Sequence, residues 1–269
     1  MINCNNLNLS YCNIKDKGLQ YLSNSKNLIN CKNLNLSGCN ITGNGLQYLL
    51  NILINCENLN LSCTKITDEG LQFLQNCNNL ITCKKLVLSC CDITDNGLQY
   101  LNSKNLMNCK KLNLSGCRIT HKGLQYLSNI FINYENLNIS HCGITDEGLQ
   151  YLSNSKNLII CKKLNLSICK ITDEGLQYLS NIFINCENLD LSRAKITDEG
   201  LQYLSNFKNL NLSGCNITDK GLQYLSNSKN LNLSNCKITD KGLQYLSNSK
   251  SLITCKKINL YKCKISDIN

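Results

Sequence analysis

Apolar and polar residues along this chain alternate between two short-range patterns. In Asn33-Leu34-Asn35-Leu36-Ser37 the alternation has period two. It predicts a strand with Leu34 and Leu36 turned inward and Asn33, Asn35 and Ser37 outward. Further along, segments such as Asp173-Glu174-Gly175-Leu176-Gln177-Tyr178-Leu179 place two leucines three residues apart, the spacing of one helix face. Asp173 reads as the helix N-cap, and Glu174 lies near the positive end of the helix dipole.

These two patterns recur as one unit. Gly-Leu-Gln-aromatic-Leu segments begin at Gly18, Gly45, Gly70, Gly97, Gly123, Gly148, Gly175, Gly200, Gly221 and Gly242, with periods of 25 to 27 residues and two of 21. A Leu-x-Leu-Ser-x-Cys mark precedes each helix, from Leu7 to the degenerate Ile258–Cys263, so eleven strands fit. No single unit can enclose its own apolar face, and stability must come from stacking neighbours. No composition break suggests a linker, which predicts one domain over residues 1–269. The two 21-residue units lack a stretch of about six residues, predicting a thinner helical side and flatter curvature between Gly200 and Gly242.

The run Cys-x-x-Leu-x-Leu-Ser-x-Cys-x-Ile-Thr-Asp-x-Gly-Leu-x-x-Leu resembles the cysteine-containing leucine-rich repeat family, known from the repeat arms of F-box proteins and related adaptors. The resemblance implies an α/β solenoid, a horseshoe with a parallel concave β-sheet and convex helices, of about eleven repeats. It also implies a binding role, with substrate recognition for a cullin-type ubiquitin ligase as one version. Because Leu7 already reads as a strand leucine, the expectation is a chain without an N-terminal F-box helical motif.

Twenty cysteines could suggest a disulfide framework or a zinc protein. Register explains most of them instead. Eight stand at the first core position of a repeat (Cys4, Cys31, Cys56, Cys83, Cys109, Cys161, Cys186 and Cys255), and nine follow the strand (Cys12, Cys39, Cys91, Cys117, Cys142, Cys169, Cys215, Cys236 and Cys263). Both columns are expected to point inward as reduced thiols, acting as small hydrophobes with a weak S–H donor. Stacking would allow disulfides, against which a reducing compartment argues. Zinc lacks a Cys-x-x-Cys pair to start a site.

The acidic residues are absorbed in the same way. Nine of eleven aspartates fall at the expected N-cap position, Asp267 being the last, and Glu57, Glu135 and Glu187 precede strands. Asp92 and Asp190 stand outside these roles. His121 replaces a cap aspartate, and His141 lies in a turn. No acid/base pair, phosphate loop, nucleophile elbow or metal motif remains. The expectation is a chain without enzymatic activity, catalytic residues, cofactor or metal.

What remains is surface. The third strand position is Asn in nine of eleven repeats, broken by Val87 and Asp190, and such a row can form a side-chain ladder along the sheet. Variation concentrates just after the strand and two residues further on. Tyr11, Lys65, Asp92, Arg118, His141, Ile168, Lys170, Asp190, Arg193 and Lys195 are therefore the candidate partner-binding residues. The formal charge of +10, with Lys85, Lys111 and Lys163 on the strands, forms a basic band that suits an acidic protein partner. A weak nucleic-acid binder is the further alternative, opposed by the absence of aromatics among these cations. There is no secretory signal or membrane-spanning run, which predicts an intracellular protein, cytoplasmic or nuclear, away from membranes. The bare ends suggest end-to-end self-association.

Overall fold

The computed structural model describes residues 4–76, 78–101, 106, 108–129, 134–154, 161–180, 185–205, 207–225, 228–248 and 255–266. Asp267 and Cys77 lie outside this set. The chain divides into two compact units, Met1–Cys142 and Gly143–Asn269. The first holds strands β1 (Asn6–Asn8), β2 (Asn33–Asn35), β3 (Asn58–Asn60), β4 (Lys85–Val87), β5 (Lys111–Asn113) and β6 (Asn136–Asn138). The second holds β7 (Lys163–Asn165), β8 (Asn188–Asp190), β9 (Asn209–Asn211), β10 (Asn230–Asn232) and β11 (Lys257–Asn259). In each unit the strands pair parallel, in sequence order, and without register slip. Leu34 stands opposite Leu7 and Leu59, and Leu210 opposite Leu189 and Leu231.

Short α-helices follow the strands: α1 (Asp16–Ser23), α2 (Gly43–Leu46), α3 (Asp68–Asn76), α4 (Asp95–Leu98) and α5 (His121–Asn129) in the first unit, then α6 (Asp146–Ser153), α7 (Asp173–Ser180) and α8 (Asp240–Asn248) in the second. Between strand and helix the core takes both strand leucines, the two cysteine columns, the turn isoleucine and the helix leucines. In the second repeat Cys31, Leu34, Leu36, Cys39, Ile41, Leu46 and Leu49 are all at most 2 % exposed. Each leucine so buried contributes about 1.5–3 kcal/mol. Pairing also continues beyond the strands: the amides of Leu36 and Gly38 donate to the carbonyls of Asn60 and Ser62, at 2.9 and 2.8 Å.

The helix caps differ from the sequence expectation. The residue with extended, non-helical backbone is the threonine one place earlier, and Thr94, Thr197 and Thr218 accept from the amide two residues on. The aspartate is the first helical residue, and its carboxylate reaches into the following repeat. Asp16, Asp68 and Asp95 accept the backbone N–H and hydroxyl of Thr42, Thr94 and Thr120. Asp146, Asp173, Asp198 and Asp219 do the same for Thr172, Thr197, Thr218 and Thr239. The backbone bonds measure 2.7–2.9 Å. A charged acceptor bonded twice outcompetes a single local cap, which is why the motif reads Thr-Asp. The ladder also requires glycine: a Cβ on Gly175 would lie 2.2 Å from Asp146 Oδ1.

In the two short units the helical segment is a six-residue 3-10 turn, Asp198–Tyr203 and Asp219–Tyr224. Longer repeats carry a further 3-10 segment, such as Leu53–Asn55, that buries a leucine before the core cysteine. In the first short unit Phe207, 2 % exposed, stands in the cysteine column and fills this volume. Ser228 holds the same position in the second and donates to the Phe207 carbonyl at 3.0 Å.

Candidate binding rim

Except after β4, where Val87 intervenes, the turn after the strand is held by the strand's third residue. Asn35 Oδ1 accepts the Ser37 amide at 3.1 Å, and Asn8, Asn60, Asn113, Asn138 and Asp190 are among those that repeat the contact. This local Asx bond, and not the expected ladder, is what holds Asn in that column. Asn211 also donates across to Asp190, the described exception. The side-chain ladder runs instead along the first strand position, where Asn33 donates to Asn6, Asn58 to Asn33, Asn209 to Asn188 and Asn230 to Asn209. Lys85, Lys111, Lys163 and Lys257 take that position in other strands.

The residue after this turn enters the left-handed region whether or not an Asx bond precedes it, as Cys90 does after Val87. Every residue of the first variable column has positive φ: Tyr11, Cys63, Cys90, His141, Ile168, Arg193, Asn235 and Lys262 at 54° to 59°, and Gly38, Gly116 and Gly214 at 68° to 72°. An L-residue costs about 1–2 kcal/mol there, and a β-branched one such as Ile168 is an outlier. Sequence comparison of the repeats found this column but not its backbone; three glycines and an asparagine in it were the available signal. These side chains lean toward the next repeat. The Tyr11 ring occupies the space a Cβ on Gly38 would need, 2.5 Å away, and Arg193 packs beside Gly214.

Two residues on, the second column forms isolated parallel bridges with the threonine caps of the preceding repeat: Thr42 with Lys65, Thr67 with Asp92, Thr94 with Arg118, Thr145 with Lys170 and Thr172 with Lys195. In the first unit Tyr11, Lys65, Asp92, Arg118 and His141 are exposed. There the structure joins Asp92 to Arg118 in an ion pair at 3.0 Å, worth at most about 1 kcal/mol on an exposed surface. In the second unit Ile168, Lys170, Arg193 and Lys195 come together on adjacent repeats, all exposed, with Asp190 on the strand face beside them. Lys237 and Lys264 extend the same column.

At the opposite ends of the strands, Glu57 bridges Lys32 and Lys84, Glu135 meets Lys110, and Glu187 meets Lys208. Hydrogen bonds from Lys84 and Lys208 hold the carboxyls of Glu57 and Glu187 below their ordinary range. These three glutamates share that column with seven lysines (Lys32, Lys84, Lys110, Lys162, Lys208, Lys229 and Lys256), so the edge stays basic. Lysine surplus is concentrated late in the chain: residues 208–269 carry ten lysines against three aspartates, a surplus of seven out of the formal +10.

The cysteines follow their expected register, and each described one is a free thiol. Cys39, Cys91, Cys117, Cys215 and Cys236 donate S–H to the carbonyl of a strand leucine in the preceding repeat, at 3.0–3.3 Å. Cys12 is exposed in place of the expected inward position, since no described repeat precedes it to cover the turn. Burial pushes the thiols of Cys56, Cys117 and Cys215 up to about 12 and that of Cys236 to about 11. An unfolded thiol titrates near ~8.5. Above that pH the unfolded chain holds fewer protons than the folded one, so this contribution is complete below ~8.5 and lost toward pH 12. Urea midpoints should fall from pH 8.5 to 10 more steeply in the natural chain than in Cys215→Ala/Cys236→Ala; equal slopes would refute the assignment.

Among the described residues no group of three or more His, Cys, Asp or Glu side chains is arranged to hold a metal ion. No described helix is long and apolar enough to cross a membrane. Comparison with known proteins agrees with this architecture. The family model described as Leucine Rich repeat matches ten segments, from 6–23 and 32–50 through 203–226 and 229–247, with most of the chain between them. No curated protein matches. Among solved structures, an internalin from Listeria monocytogenes is 22% identical, with a TM-score of 0.57 over 99% of this chain and 83% of its own. An internalin C2 from the same bacterium is 23% identical, with a TM-score of 0.55 over 78% of this chain and 83% of its own. The in-register leucines, Asx turns and repeated family matches lead to one identification: this chain belongs to the leucine-rich repeat family.

Proposed function

We propose that the chain is a non-catalytic scaffold that binds an acidic protein partner inside the cell, through the strand face and the adjoining rim. One observation carries the reading. The left-handed column would be least strained with glycine throughout, yet eight of its eleven positions hold larger side chains, most of them exposed. Strain retained at exposed positions of a repeated fold points to use of those side chains. The sign of the partner follows from Lys170, Arg193, Lys195, Lys237 and Lys264, which line one rim without an intervening carboxylate in their two columns. Electrostatic complementarity of this kind speeds encounter and suppresses wrong partners.

Proximity labelling in the native cell, followed by direct binding, tests the reading. Ile168→Gly and Arg193→Gly should leave thermal stability unchanged or raised while weakening the partner at least ~10-fold, about 1.4 kcal/mol. Tyr151→Ala on the helix side should leave binding intact. Full binding by both glycine variants would overturn the rim assignment. Recovery of cullin-type ligase components with the partner would place the scaffold in substrate recognition, and their absence would sink that role.

A further inference from the structure

Most cysteines here are withdrawn from chemistry by burial and by donation to backbone carbonyls, but one adjacent pair is not. Cys63 and Cys90 occupy the left-handed position of successive repeats, both at φ 54° and both exposed. Their backbones are in register: the Cys63 amide donates to the Ser89 carbonyl, and the Cys90 amide to Ser115, each at 2.8 Å. In-register neighbours stand about 4.8 Å apart, inside the Cα range that a disulfide spans.

Side-chain direction favours the pair as well. Residues of this column lean over the next repeat, and the Cys90 sulfur lies 3.0 Å from where a Cβ on Gly116 would be. The same lean, shown also by Tyr11 over Gly38 and Arg193 beside Gly214, sets the Cys63 thiol beside Cys90. Buried cysteines also stack, as Cys91 does with Cys117, but those thiols are occupied by the Leu61 and Leu88 carbonyls and closed to solvent.

We propose that Cys63 and Cys90 form a dithiol modification site that hydrogen peroxide converts to a disulfide joining the third and fourth repeats. In the first step the Cys90 thiolate attacks one peroxide oxygen, the O–O bond breaks, and hydroxide leaves, giving a sulfenic acid on Cys90. In the second the Cys63 sulfur displaces that hydroxyl as water, and its proton leaves with it. Overall two thiols lose two protons and two electrons, and one peroxide takes them up to become two waters. Cys63 is the resolving partner, because the lean of this column directs its sulfur toward Cys90 while the Cys90 sulfur points on toward Gly116. Closure would join two residues of the rim that the proposed function uses, though the chemistry does not depend on a partner being bound there.

The test uses the full reduced chain, exposed to stoichiometric peroxide under native conditions, alkylated, digested and mapped by mass spectrometry. One crosslinked peptide pair is expected, joining the Cys63 and Cys90 segments with the loss of two hydrogen masses. Cys63→Ser should leave Cys90 as a sulfenic acid that dimedone captures, and Cys90→Ser should abolish the crosslink. Independent over-oxidation of both residues without a crosslink would overturn the proposal. So would unchanged alkylation of both, or equal yields of disulfides between buried cysteines.

Discussion

Replacing Gly175 with alanine is expected to cost about 2–4 kcal/mol, much of it from one carboxylate in the neighbouring repeat. The new methyl would sit 2.2 Å from Asp146 Oδ1, so either the carboxylate or the helix start must move. If Asp146 moves, the Thr172 amide at 2.9 Å and the Thr172 hydroxyl both lose a charged acceptor. Hydrogen bonds to charged groups contribute about 1.5–3 kcal/mol, and overpacking adds about 1–3 kcal/mol. Asp146→Ala alone should lose only the hydrogen-bond part. The double variant Asp146→Ala/Gly175→Ala should therefore cost clearly less than the sum of the singles, a coupling that urea denaturation resolves. Strict additivity would show that Gly175 is required for a different reason. The repeats contain a natural counterpart: Gly43 stands where an aspartate would, and there the backbone of Gly70 closes in, its Cα 2.8 Å from a Cβ placed on Gly43.

Leu59→Ala is expected to cost about 2–5 kcal/mol, the range for truncating a buried leucine. Leu59 is 1 % exposed and stacked between Leu34 and Leu86 in β2 and β4. Neighbours on both sides are held by their own backbone ladders, so little collapse into the cavity is available. Because each repeat touches only its neighbours, the loss should be local. Hydrogen exchange should rise most at the amides of Leu36, Asn58 and Leu61, which bind across the β2–β4 ladder, and least near β10. A uniform rise across both units would argue for long-range cooperativity in place of nearest-neighbour stacking.

The two variants probe different parts of the repeat, and the sequence revealed them unequally. Leu59 was legible because period-2 alternation marks an inward strand residue wherever it occurs. The Gly175 requirement was not, although the glycine recurs in every helix start, because its cause is a carboxylate 29 residues earlier in the chain. The same distinction explains the corrected caps. Asp173 has the composition of an N-cap, but the unit after it offers the Thr197 amide and hydroxyl together, and that contact exists only once repeats are stacked. On the rim, comparing repeats picked out the two variable columns. It could not reveal that Tyr11, His141, Ile168 and Arg193 share a left-handed backbone, since bulky and β-branched residues seldom adopt that conformation.

The sequence by itself determined the repeating strand–turn–helix unit, the count of eleven strands, the inward leucines and most of the cysteine register. These follow from local periodicity, which every repeat states again. Only the tertiary structure decided what the polar residues do: aspartate binding the next repeat's threonine, cysteine donating to the previous repeat's carbonyl, asparagine turning its own chain, and Cys63 meeting Cys90. The physical reason is that hydrophobic burial depends on which face a residue occupies, which periodicity encodes. A hydrogen bond depends on which partner atom arrives within about 3 Å, and here most of those atoms come from the neighbouring repeat.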